Sequence, residues 1–117
     1  MVTIKYKGEE YELSTKLRVA YEIQNKFGHK PYMEIFQDIQ TMKLEDQIKM
    51  IYVAFNLMNP DICTETAFRE EVLDSWNLTI ITQTIANLVE AITFNGMSPE
   101  EIAARKKEMQ MQMKLAK

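Results

Sequence analysis

Val2-Thr3-Ile4-Lys5-Tyr6-Lys7-Gly8-Glu9-Glu10-Tyr11-Glu12-Leu13, followed at once by Ser14-Thr15-Lys16-Leu17-Arg18-Val19-Ala20-Tyr21-Glu22-Ile23, decides the fold class of this chain. Val2, Ile4 and Tyr6 alternate with Thr3, Lys5 and Lys7, the period-2 pattern of a half-buried strand. A two-residue turn at Gly8-Glu9, with Gly first as a type II′ turn wants, predicts a register. Lys7 then faces Glu10, Tyr6 faces Tyr11, Lys5 faces Glu12 and Ile4 faces Leu13. Charged pairs fall on one face and apolar pairs on the other, each contributing roughly 0.2–1 kcal/mol.

The hairpin runs into a helix that Ser14 or Thr15 can cap and that ends at Phe27, with Gly28 just past the end. Leu17, Val19, Ala20, Tyr21, Ile23 and Phe27 form its apolar arc, and Arg18, Glu22 and Lys26 stack at i,i+4 on the other side. Pro31 fits the first turn of a short second helix whose buried stripe is Tyr32, Ile35, Phe36 and Ile39. A third helix is predicted from about Leu44 to Met58, with Ile48, Ile51, Tyr52, Phe55 and Met58 on one face, and Asn59-Pro60 stops it. Thr64 can cap a fourth, with Phe68, Val72, Leu73 and Trp76 inward.

Leu78 to Phe94 is ambiguous at first, because Leu78-Thr79-Ile80-Ile81-Thr82 is rich in β-branched residues. Leu78, Ile81, Ile85, Leu88, Val89 and Ile92 nevertheless match the helical template over more than three turns, and Gly96 ends the run. Ser98-Pro99-Glu100-Glu101 then opens a last helix over 99 to about 115. The expected fold is mainly α: an N-terminal two-stranded hairpin, then five to six helices in one compact domain. Residues 1–97 make the hairpin and helical core, and 98–117 an amphipathic C-terminal helix.

Bulk properties bound the function. The 117 residues are 46% hydrophobic and 26% charged, an ordinary globular mixture. No apolar run approaches the ~20 residues of a membrane helix. The start lacks a basic segment followed by an apolar one, and the single Cys63 suits a reducing compartment, so a cytoplasmic protein is expected. Net charge is −3, concentrated in residues 44–76, where Glu45, Asp46, Asp61, Glu65, Glu70, Glu71 and Asp74 face only Lys49 and Arg69. That acidic middle repels phosphate and argues against nucleic acid.

Catalytic and metal chemistry find little to work with. His29 and Cys63 are the only histidine and cysteine, so neither has a second soft ligand at metal spacing. Glu70, Glu71 and Asp74 read as a solvated helix face rather than a matched acid and base. The expectation is a non-enzyme without cofactor. Two surfaces stand out instead. Ile102, Met109, Met113 and Ala116 fall at heptad-like spacing in the last helix, a Met-lined stripe suited to varied partners or else a spare end. Thr3, Lys5, Lys7, Glu10 and Glu12 mark the hairpin as a self-association edge.

The layout resembles the tail assembly chaperones of long-tailed bacteriophages and their prophages. The resemblance rests on the hairpin Val2–Leu13, the helix Leu17-Arg18-Val19-Ala20-Tyr21-Glu22-Ile23 ending at Phe27-Gly28, and the all-helical remainder, almost the full chain. It implies a factor of the host cytoplasm, absent from the mature virion, that coats the long tape-measure protein until tube subunits polymerise. It also implies a frameshifted longer form that recruits tail tube protein, this chain being the short form, and self-association into a homo-oligomer. The competing readings are a small phage-encoded DNA-binding regulator, whose best basic cluster is Arg105-Lys106-Lys107, and a minor structural connector.

Overall fold

Lys7 and Gly8, not Gly8 and Glu9, are the central residues of the hairpin turn. In the computed structural model, which describes residues 2–95 and 97–115 (109–115 by their backbone alone), both have positive φ, 51° and 82°. That is the signature of a type I′ turn, whose twist matches that of the flanking strands. β1 (Thr3–Tyr6) and β2 (Glu9–Glu12) pair antiparallel, with Thr3 opposite Glu12, Ile4 opposite Tyr11, Lys5 opposite Glu10 and Tyr6 opposite Glu9. The register therefore differs by two residues from the expected one. A two-residue slip keeps every side chain on its predicted face, which is why alternation could not detect it. The Leu13 amide adds a rung to the same ladder, donating to Val2 O at 2.8 Å, and outside the hairpin the Ser14 amide anchors the end of that strand to Ala54 O in a distant helix at 3.0 Å.

That second bond changes the role of Ser14. Its backbone is buried and tied to the third helix, and its Oγ is 3.5 Å from the Lys16 amide. Helix α1 (Leu17–Lys26) starts after Lys16, without a side-chain cap from Ser14 or Thr15. Its end is as expected: Gly28 has φ 74°, and the His29 amide donates to Gln24 O at 2.9 Å, closing a Schellman motif. Val19, Ala20 and Ile23 are buried, but Leu17 and Tyr21, assigned to the apolar arc, are exposed.

Helix α2 (Tyr32–Gln37) follows Pro31, burying Ile35, while Tyr32 is exposed and Phe36 and Ile39 pack partly against the core. A 3-10 turn, Ile39–Thr41, leads into α3 (Leu44–Met58). This is the central helix, touching β2, α1 and two later helices. Ile48 and then Met50 through Phe55 are all buried, so α3 is covered nearly all round rather than on the single face its periodicity predicts. Met58, expected inside, lies past the end of that covered segment and is exposed. Asn59 closes α3 and ties it to the hairpin, its Nδ2 donating to Phe55 O at 3.2 Å and to Glu12 O at 2.8 Å.

Helix α4 (Glu65–Ser75) is capped by Thr64 Oγ1, which accepts from the Ala67 amide at 3.1 Å. Phe68 and Val72 are buried, Leu73 is exposed, and Trp76 is only half-buried because it sits where α4 ends and the chain turns away. Phe68 is the hub of an aromatic cluster. It stacks on Tyr6 (5.6 Å, 16°), lies 5.1 Å from Phe55 and 5.5 Å from Tyr52, and meets Trp76 edge-on at 6.2 Å.

Helix α5 (Leu78–Thr93) begins with an unforeseen cap, Asn77 Oδ1 accepting from the Ile80 amide at 2.9 Å. It buries Ile81, Thr84, Ile85, Leu88 and Ile92 but leaves Leu78 exposed, its first turn projecting beyond the core. The stop assigned to Gly96 lies outside the described residues. Helix α6 (Pro99–Leu115) starts as expected, Ser98 Oγ accepting from the Glu101 amide at 3.2 Å. The chain is thus mainly helical, a hairpin and six α-helices among the described residues, as its sequence pattern predicts.

Candidate interaction surfaces

Helix α6 meets the body at its N-terminal end. Lys106 Nζ reaches Glu90 Oε1 on α5 at 2.9 Å and lies 5.8 Å from the centre of the Phe94 ring. Ile102 is half-buried, and the residues around it from Pro99 to Glu108 are exposed. Of the predicted stripe, Ile102 is the member whose side chain is described. The side chains of Met109 and Met113, and all of Ala116, lie outside the described residues. Arg105 pairs with Glu108 at 3.7 Å and Lys106 with Glu90, so two of the three basic residues a DNA-reading helix would need are matched by acids.

Beside Lys106 an apolar groove of about 480 Å³ runs between the 3-10 turn and α5, lined chiefly by Phe36, Ile39, Ile85, Ala86, Val89 and Phe94. Sequence reasoning missed it, although a signal was present: no charged residue occurs from Ser75 through Val89. In a chain with 26% charge, such a run contains both the buried stripe of α5 and an uncharged exposed flank, Leu78, Thr79, Thr82, Gln83, Ala86 and Asn87.

At the other end, the structure brings the predicted hairpin residues together. Thr3, Lys5, Lys7, Glu10 and Glu12 are all exposed; Thr3, Lys5, Glu10 and Glu12 share the face away from the core, while Lys7 stands in the turn. The core face carries phenols instead. Burial pushes the Tyr6 hydroxyl up to about 12, with the Cys63 side chain adding to it. Tyr11 is raised first by donating to Glu9 Oε2 at 3.0 Å, and Tyr52 by burial, its hydroxyl donating to Cys63 O at 2.9 Å. These phenols are structural donors held in their neutral form.

Cys63 is half-buried and His29 lies in the exposed turn after α1. Among the described residues no three His, Cys, Asp or Glu side chains gather as metal ligands, and no helix is long and apolar enough to cross a membrane. Compared with family models, curated proteins and solved structures, the chain matches none.

Proposed function

We propose that this chain is a tail assembly chaperone of a long-tailed phage or prophage, binding the tape-measure protein in the host cytoplasm before tail tube polymerisation and absent from the mature virion. The observation that carries this reading is the uncharged flank of α5 beside the Phe36–Phe94 groove. An apolar groove bordered by an uncharged, largely amide and hydroxyl flank, on a well-packed body, suits the holding of an apolar helical client. Resemblance of the element order to that family supports the same role, as does the acidic middle of the chain, which disfavours phosphate. A frameshifted longer form would add the contact to tail tube protein.

The test is co-expression with the large coiled-coil-rich tape-measure protein that this reading requires to be encoded next to this chain. Soluble client should rise with this chain and fall back when Ala86→Glu and Val89→Glu place charge in the groove. Deleting residues 98–117 removes the exposed Lys106–Glu90 ion pair, ~0.2–1 kcal/mol, and the half-buried Ile102, so the melting midpoint should fall by only a few degrees while client binding weakens. A client equally soluble without this chain, or tight sequence-specific DNA binding at physiological salt, would overturn the reading.

A further inference from the structure

A second groove, sharing no lining residue with the first, runs along the hairpin. Its floor and walls are Ile4 and Thr84, both buried, with Trp76 and Ile80 on one side and Lys5 and Lys7 on the other; it encloses about 410 Å³. Its β1 wall is an unpaired strand edge. The Leu13-to-Val2 bond makes Val2 and Leu13 a hydrogen-bonded pair. Alternation along an antiparallel ladder then gives Ile4 and Tyr6 the remaining bonds to β2. The amides and carbonyls of Thr3 and Lys5 therefore point away from β2, into the groove. The β2 edge differs, since Asn59 Nδ2 already occupies the outward carbonyl of Glu12 at 2.8 Å.

We infer that the β1 edge and the Trp76–Ile80 groove form a docking site for an extended peptide segment of a partner protein, about five residues long, with acidic and apolar side chains alternating. Length follows from the four residues of β1 at ~3.4 Å each, with one more alongside Lys7 in the turn that also lines the groove. Alternation follows from the pleat: residues of an added strand that stand beside Thr3 and Lys5 share their outer face, and those between them point at Trp76 and Ile80, with Lys7 standing in the turn at the end of the edge. Acidity follows from charge. The groove is lined by two cations, Lys5 and Lys7, and one acid, Glu71; Lys5 has Glu10 opposite it across the hairpin, yet neither lysine has an ion-pair partner within 4.0 Å among the described residues.

A second copy of this chain supplies no acid to the two lysines. Full antiparallel overlap of residues 3–7 with themselves sets Lys5 against Lys5, and like charges directly opposite are unfavourable; the register centred on Ile4 avoids that clash but leaves Lys5 facing Thr3 rather than a carboxylate. Using the partner's β2 instead breaks the Asn59–Glu12 bond.

Trp76, the one tryptophan of the chain, lines the groove and reports on it. The probe is an acetylated, amidated hexapeptide alternating Glu with Val, titrated into the full chain while Trp76 emission is followed. Emission should move to the blue, and exchange of the Thr3 and Lys5 amides should slow. The Lys-for-Glu version of the peptide should bind at least about tenfold more weakly, as should the Glu–Val peptide toward the Lys5→Gln/Lys7→Gln double variant. Ile80→Ser, at a half-exposed wall position that the fold tolerates, should weaken binding without altering the melting midpoint. Equal binding of the acidic and basic peptides, or emission change without protection of the Thr3 and Lys5 amides, overturns the proposal. Slowed amides that depend on protein concentration alone overturn it too, because the occupant is then a second copy. The tape-measure reading stands or falls separately, on the α5 groove variants.

Discussion

Lys7→Asn should stabilise this protein, although Lys7 is exposed and has no ion-pair partner among the described residues. Lys7 sits at φ 51°, in the left-handed region where a β-carbon crowds the following carbonyl. That conformation costs an L-residue about 1–2 kcal/mol. Asn tolerates it, and Asn-Gly is the favoured pair for a type I′ turn. Against the gain stands one loss: Lys7 Nζ lies 5.7 Å from the centre of the Tyr6 ring, and an exposed cation–π contact is worth ~0.5 kcal/mol. The net expectation is a gain of about 0.5–1.5 kcal/mol, a rise in melting midpoint of roughly 2–9 °C for a domain of this size. Urea unfolding should show the midpoint moving up with the slope unchanged. Were the turn at Gly8-Glu9 instead, Lys7 would be extended strand, where Asn is the poorer residue. A lower midpoint for Lys7→Asn would therefore refute the observed register and restore the one the sequence alone predicts.

Two further outcomes follow from the core. Phe68→Ala removes the hub against which Tyr6, Tyr52, Phe55 and Trp76 pack; it should cost ~3–5 kcal/mol, a large part of the ~5–15 kcal/mol that holds a domain together, visible as a collapse of the urea midpoint. Alkaline unfolding should be steep, because the Tyr6 pKa is raised from 10.0 to about 12 by folding. A group whose folded pKa lies above its unfolded value contributes stability below the unfolded pKa and loses it as pH climbs through the folded one. Stability should hold to about pH 10 and fall toward pH 12, and Tyr6→Phe should flatten that fall.

Each of these expectations rests on a contact of different range, and that is what separates the legible parts of the chain from the rest. The exposure of Leu73, Leu78 and Met58 illustrates the boundary. All three sit at correct helical spacing from buried neighbours, so period alone places them inside. They are exposed because the covering elements stop short: Met58 and Leu78 lie at the ends of α3 and α5, and Leu73 lies on the margin of the face that α4 turns to α3. The uncharged run from Ser75 to Val89 is the converse. Its buried half was read from periodicity, while its exposed half needed the neighbouring elements to show that nothing covers it.

By itself the sequence determined what depends on residues within about four positions of each other. Two strand faces, the helix ends at Gly28 and Asn59-Pro60, the caps at Thr64 and Ser98, and the helical state of residues 78–93 all belong there, because capping, backbone restriction and side-chain period are local forces. Tertiary structure decided the rest. It anchored the end of the hairpin to α3 through Ser14 and Ala54, turned a candidate cap into a tether, and buried α3 on nearly every side. It also left one strand edge open beside Trp76 while Asn59 closed the other. Those outcomes join residues as much as 47 positions apart, and no local rule reaches that far: which surface stays free is settled only when every other element has taken its place.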